Sequence, residues 1–487
     1  MFYPPVEQVD ELLNDFDVVP VFYEIVSDTC TPIHIFETFQ QSEETCFILE
    51  SINDVKQWGR YSFIGIHPKA ELKIEHATAY FTKDGKTQTT LLTDLNRYLK
   101  KLMGQYRSPM FPNQPRLTGG LIGYFGYDTM RYLEPKLKQT PRDELNIPDC
   151  HLFLYDEIIA FDHLTNKVIV IQNIYRGQNV EWQYQQVKAR AKKLAQQIFT
   201  NTVTVVRKSQ KPKMKITSSF TKESYIKLVE KAKQLIAAGE IFQIVPSRRF
   251  TVTYPPESFE VYRNFRIANP SSHLYYLKGK DYQIAGVSSG MFINVTKRVV
   301  TSKPITATAP RGFMRQQDKV LEQILLNDLR EQKKHTMLVD LGRNDIGKVS
   351  KLKTVDVIDF MQVKYDSKVM QLASNIKGIL KEDCTAVDAL LAALPAGITS
   401  GVPKIRAMEI IDQLEPVKRC LYGGAIGYLG FHGNADTCMA TRTVLFRNDK
   451  AYIQAGSDIF VDSDPENEYE TIETEVKTIL EALKNAE

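Results

Sequence analysis

The sequence predicts an α+β protein built on antiparallel sheets, and three observations carry that expectation. Strand-like and helix-like runs do not alternate regularly along the 487 residues, so a doubly wound parallel sheet is not expected. Short β-rich runs lie between polar turns in both halves of the chain, while the helical patterns are long and few. Neither GxGxxG nor GxxxxGK[ST] occurs, which removes the usual nucleotide cradles of α/β proteins.

Taken in order, residues 79–81, 151–155 and 167–171 (KVIVI) read as strands, and 181–199 reads as a polar helix closing the first half. RKSQKPKMK (207–215) is basic, contains Pro212 and has Met214 as its only other apolar side chain. It reads as an exposed linker, with a nucleic-acid arm as the minor alternative. It divides an N-terminal region, 1–206, from a C-terminal region, 216–487. A helix is expected over 222–238, because Tyr225, Leu228, Val229, Ala232, Leu235 and Ile236 recur at i, i+3, i+4 and i+7 and Gly239 stops it. Strands are expected at 242–245, 274–277 and 299–301. A helix over 320–339 would place Leu321, Ile324, Leu325, Leu329 and Leu338 near one stripe. The last helix spans 465–483, with Pro465 in its first turn and Ile472, Val476, Ile479, Leu480 and Leu483 on its apolar face.

Composition narrows the function classes. The 62 basic and 58 acidic residues nearly cancel, so charge gives no case for nucleic acid. With 43% hydrophobic and 25% charged residues, a sizeable core can form and general disorder is not expected. Cys30, Cys46, Cys150, Cys384, Cys420 and Cys438 form no C-x-x-C pair. Free thiols in a reducing cytoplasm therefore fit better than a zinc ribbon or a disulfide scaffold. The opening MFYPPVEQVDELL lacks the pattern of a signal peptide, and no apolar run approaches the roughly 18 residues of a membrane helix.

Three glycine-rich stretches lie close together: LPAGITSGVPK (394–404), YGGAIGY (422–428) and GNADTCMATRT (433–443). Singly they read as tight turns. Together they offer close backbone approach and N–H groups suited to carboxylates or phosphates, with Lys404 and Arg442 adding positive charge. With FILES (47–51), WGRYSFIG (58–65), IFQIVPSRRF (241–250), NPSSHLYYL (269–277), MLVDLGRNDIGKV (337–349) and PAGITSGVPKIRAMEIIDQLEP (395–416), they form an ordered set over almost the whole chain. That set resembles the large subunit of anthranilate synthase, in the chorismate-utilising enzymes.

The resemblance implies two large antiparallel sheets with helices packed around and between them. It implies formation of anthranilate and pyruvate from chorismate and ammonia with Mg²⁺, the ammonia coming from a glutamine amidotransferase subunit. It implies substrate contacts at Gln243, Thr308, Lys404, Gly424, Arg442 and Gly456. It also implies a tryptophan effector site at Leu49, Glu50, Ser51, Asn269 and Pro270, although Ser272 and His273 replace the usual Pro and Tyr there. Gln243 stands where water-adding members carry a lysine base, which points to the amine branch. PITAT (304–308) lacks the nucleophilic lysine of the aminodeoxychorismate synthases.

The chemistry itself is where the chain departs. The family's general acid in S-P-E is Gly290 in SSG (288–290), and proton donation of that kind is typically worth roughly 10²–10⁴-fold. The histidine of V-M-H is Gln371, which cannot titrate near neutral pH. The carboxylate-holding G-A-G is Gly456-Ser457-Asp458, and P-I-A-G-T has a methyl at Ala307. The two E-x-x-E magnesium pairs become Glu331 with Lys334, and Glu468 with Thr471. An ammonium is no ligand for a hard dication. At ~4 Å and an effective dielectric of ~20, each unit-charge repulsion costs about 4 kcal/mol, before doubling for a divalent ion. No magnesium is expected, and Lys334 is expected to pair with Glu331, Glu468 or a ligand carboxylate. The expected protein is a catalytically silent homologue that binds a chorismate-like carboxylate, tryptophan or a partner subunit. The alternatives are a working anthranilate synthase or a metal-independent enzyme of the same fold.

Overall fold

Burial along the strands sorts their positions in the sheets. In Ala70–Glu75 buried and partly exposed residues alternate, so one face is wet. Gly120–Phe125 and Cys150–Tyr155 are buried throughout, as central strands covered on both faces must be. The computed structural model describes residues 2–51, 59–200, 213–268, 271–288, 290–312, 314–365 and 369–486.

Among the described residues there are two twelve-stranded sheets, antiparallel at every named strand pairing, and a two-stranded ribbon of Gln243–Ile244 with Gly401–Val402. Both halves of the chain build both sheets. In the first, Cys46–Glu50 pairs with His273–Lys278. In the second, Gly120–Phe125 pairs with Ala425–Gly430. The division at 207–215 is therefore one of sequence and not of the sheets. Lys215 already opens a strand, Lys215–Ser218, and residues 207–212 lie outside those described.

Side chains of both sheets meet in a middle layer that includes Phe47, Tyr124, Tyr155, Tyr275, Ile426 and Leu445. Helices cover the outer faces. On the first sheet, Phe36, Leu194, Leu228, Phe265 and Val476 project from five of them. On the second, Leu99, Val339 and Leu390 do the same.

The expected helices at 181–199, 222–238 and 465–483 form as Val180–Thr200, Lys222–Ala237 and Pro465–Lys484. Gly239 ends the second with φ +78°, a backbone that side chains rarely adopt. The expected strand at 242–245 contracts to the two residues of the ribbon. The expected helix at 320–339 is two helices, Arg315–Asn327 and Leu329–Val349. Asp328 breaks them, in extended backbone, and its carboxylate caps the second by accepting from the Arg330 and Glu331 amides at 2.9 and 3.1 Å. The break resets the helical phase, so Leu329 at the start of the second helix is 68% exposed and off the expected stripe; Ile324, within the first helix, is 63% exposed, while Leu325 and Leu338 are buried.

Candidate functional site

The capped helix Leu329–Val349 sets the geometry. Its first turn carries Glu331, and His335 follows one turn later, fully buried against the second sheet. The two His335 ring nitrogens bond the Thr306 hydroxyl at 2.8 Å and the Ser374 hydroxyl at 2.7 Å. Burial pushes its imidazole down to about 4, so it is neutral near pH 7. These bonds fix the rotation of the helix. Lys334, the preceding residue, is then turned onto Asp458, and Nζ forms an ion pair with Oδ2 of that carboxylate. The side chains are only 17% and 19% exposed. Burial works against the charged amine, but the Asp458 carboxylate, with Glu331 behind it, outweighs burial and holds Lys334 above the ordinary lysine value.

Asp458 follows the strand Lys450–Gly456. Its other oxygen accepts from Gln243 Nε2 at 2.7 Å, and Gln243 is itself fully buried in the ribbon. Neither Glu331 nor Glu468, the carboxylates expected to pair with Lys334, makes the direct ion pair with it. Glu468 accepts from the Ser463 hydroxyl at 2.8 Å and faces Arg330 at 3.7 Å. Burial raises the Glu468 pKa, against the pull of Ser463 and Arg330. Glu331 Oε2 is buried without a hydrogen-bond partner. Thr471 donates its hydroxyl to the Asn467 carbonyl of its own helix at 2.9 Å. Two carboxylates, an ammonium and a committed hydroxyl thus stand at the positions implied for four magnesium ligands. That set suits an internal ion pair, not a hard dication that wants oxygen donors. Among the described residues, no group of three or more His, Cys, Asp and Glu is arranged to hold a metal ion.

Arg442 opens the strand Arg442–Arg447, and its Nε lies 3.8 Å from Glu475 Oε1. Burial raises the Glu475 pKa while Arg442 opposes it, and Asp458 adds a repulsion that places both carboxylates in one electrostatic neighbourhood. Glu475 was not singled out from sequence. The available signal was its place two turns beyond Glu468, on the same face of Pro465–Lys484. In the sequence Asp458 reads only as a misplaced negative charge, because its cation comes from a helix distant along the chain.

Other expected contacts are spent inside the fold. The Lys404 amine is bound by the Asp345 carboxylate and by the Ala393 carbonyl, the latter at 2.7 Å, so it offers no free cation to a substrate. This pair lines a cleft of about 530 Å³ whose other walls include Met291, Ile305, Leu338 and Met439. A Cβ at Gly424 would lie 2.2 Å from the Phe125 carbonyl, so this glycine serves strand packing. A Cβ at Gly456 would press on the Pro246 carbonyl at 2.8 Å and the Tyr422 hydroxyl at 3.0 Å. At Gly290 it would meet the Met439 methyl at 2.7 Å. Thr308 is placed by its backbone, in register with the buried Gln371.

The expected effector residues Leu49, Glu50 and Ser51 line a second cleft, about 490 Å³, with Tyr61, His273, Tyr428 and Asp436. The Glu50 carboxylate accepts from Ser62 at 3.2 Å, Arg266 at 3.0 Å and the Tyr262 hydroxyl, so both of its oxygens are bonded within the wall of the cleft. His273 Nε2 lies 3.3 Å from Asp436 Oδ1. Asn269 and Pro270 lie outside the described residues.

The family described as chorismate binding enzyme matches residues 44–481. Anthranilate synthase component 1 of Acetivibrio thermocellus is 41% identical over 493 aligned residues, covering 100% of this chain and 99% of its own. That of Pseudomonas aeruginosa is 37% identical, covering 97% of each. The crystal structure of anthranilate synthase component I from Streptococcus pneumoniae superposes with a TM-score of 0.75 at 34% identity, over 86% of this chain and 92% of that one. The menaquinone-specific isochorismate synthase of Escherichia coli shares the fold at a TM-score of 0.71 and 16% identity, over 98% of each chain. The chain belongs to the chorismate-binding enzyme family, as a homologue of anthranilate synthase component I.

Proposed function

We propose that this homologue has lost the magnesium-dependent conversion of chorismate to anthranilate and acts by binding a ligand or a partner subunit. The observation that carries the reading is the Lys334–Asp458 ion pair, which sits where the resemblance calls for a metal-binding carboxylate and an uncharged glycine. A magnesium ion there would face an ammonium in place of a ligand, so the protein works without Mg²⁺. Gly290 and Gln371 supply neither the acid nor the titrating histidine of the family pattern. The ligand is a chorismate-like carboxylate or tryptophan. The partner is a glutamine amidotransferase subunit, in keeping with relatives named as component 1. A cytoplasmic location accords with six cysteines free of disulfides, and no helix among the described residues is long and apolar enough to cross a membrane. The test is incubation of the pure protein with chorismate, Mg²⁺ and a high ammonium concentration, following anthranilate fluorescence. No signal above the no-enzyme blank is expected, and steady turnover would sink the reading.

A further inference from the structure

Three cations lie in the neighbourhood of Asp458, the largely buried Lys334 and the more exposed Arg330 and Arg442, and each is met by a carboxylate of the chain itself. Lys334 is bound by Asp458, Arg442 is faced by Glu475, and Arg330 is faced by Glu468. Gln243, the amide donor at the same place, is likewise spent on Asp458. A ligand carboxylate entering here would have to displace Asp458 or lie against it, and either course costs charge–charge repulsion in a poorly solvated place.

We infer that the Asp458 carboxylate is a built-in occupant of the anion site, holding Lys334 and Gln243 as a ligand carboxylate would, so that the protein's own side chain competes with an incoming chorismate-like carboxylate and weakens its binding. The inference rests on the functional reading above and deepens it by naming the group that sets the affinity for a chorismate-like carboxylate. Its physical content is that the receptor for a carboxylate is intact beneath its occupant. Lys334 Nζ is a fixed cation, and Gln243 Nε2 is a fixed donor on the neighbouring oxygen of the same carboxylate. Removing the occupant's charge leaves both groups in place with nothing to bind. The Lys334 ammonium would then be partly buried with only the weaker pull of Glu331 to offset it, a state that gains from an incoming anion. The substitutions at 334 and 458, each of which looks like damage when read alone, are in this view complementary.

Isothermal titration calorimetry without Mg²⁺ tests this, with chorismate as the anionic probe and its dimethyl ester as the uncharged control. Asp458→Asn keeps the shape of the side chain while removing the charge. Asp458→Ala removes the occupant outright, and either variant suffices should the other fold poorly by circular dichroism. Chorismate is expected to bind either variant roughly 10- to 100-fold more tightly than it binds the unaltered protein, the range of one charge-assisted hydrogen bond. The ester should show no such gain, and Lys334→Gln added to Asp458→Asn should abolish it. Equal affinity for the variant and the unaltered protein overturns the inference, as does a gain that survives loss of Lys334. Failure here is separable from failure of the functional reading. Turnover by the unaltered protein defeats both, whereas a silent protein whose Asp458 variants gain no affinity defeats this inference alone.

Discussion

Lys334 shows how the value of one residue depends on its partner. An isolated ammonium at this depth would be costly, and a lone Asp458 equally so. Paired, with Gln243 on the second carboxylate oxygen, each satisfies the other. Breaking such a pair from one side destabilises far more than replacing both members together. His432 makes the same point through protons. Burial pushes its imidazole down to about 4, and its Nδ1 is buried without a partner. The unfolded chain takes up a proton near pH 6.5 that the folded chain refuses, so this residue favours folding above that pH. Its contribution is lost as pH falls from about 6.5 toward 4, and it amounts to at most about 3 kcal/mol. Urea midpoints measured between pH 7 and 4 should therefore fall, and the fall should be shallower in His432→Gln. Identical slopes for the two proteins would assign the acid sensitivity to other groups.

At the scale of elements, the decisive feature is where Leu329–Val349 begins. A continuous helix from 320 would give residue 334 a different rotation, because the break at Asp328 restarts the count. The cap and the His335 bonds to Thr306 and Ser374 then fix that rotation from both ends of the first turns. Asp328→Ala is expected to lower stability by about 1 kcal/mol, the usual cost of a lost N-cap, measured by urea denaturation. Asp328→Asn, which still accepts from the amides, should recover most of it. Periodicity reports a phase only within one element, so a single apolar stripe drawn across 320–339 runs two helices together. Val180–Thr200, Lys222–Ala237 and Pro465–Lys484 were legible because each has one uninterrupted phase and clear ends, such as the Thr221 cap and Gly239.

At the scale of the molecule, the centre joins distant parts of the chain. Lys334 comes from a helix on the second sheet, Asp458 from the end of a strand of the first, and Thr471 from the last helix. Restoring only the glutamates at 334 and 471 would set a new carboxylate against Asp458. The combined variant Lys334→Glu, Asp458→Gly, Thr471→Glu removes that clash and returns four acidic positions. It is expected to bind Mg²⁺ with a calorimetric signal that the unaltered protein lacks. A flat trace from the folded triple variant would mean that these positions do not converge as the family pattern requires. The same interleaving explains why the linker at 207–215 does not separate two bodies, since its two sides share both sheets.

The sequence by itself determined the family, the α+β class and most long helices, because these are written in ordered motifs and in local periodicity. It also marked which chemical positions had changed, at Gly290, Ala307, Lys334, Gln371, Asp458 and Thr471. Only the tertiary structure decided that two of those changes meet, that Lys404 is held by Asp345, and that Glu50 is tied to Ser62, Tyr262 and Arg266. The physical reason is that a charge acquires its meaning from distance and solvent exclusion. Both are set by how strands and helices far apart in sequence pack, and no local pattern carries them.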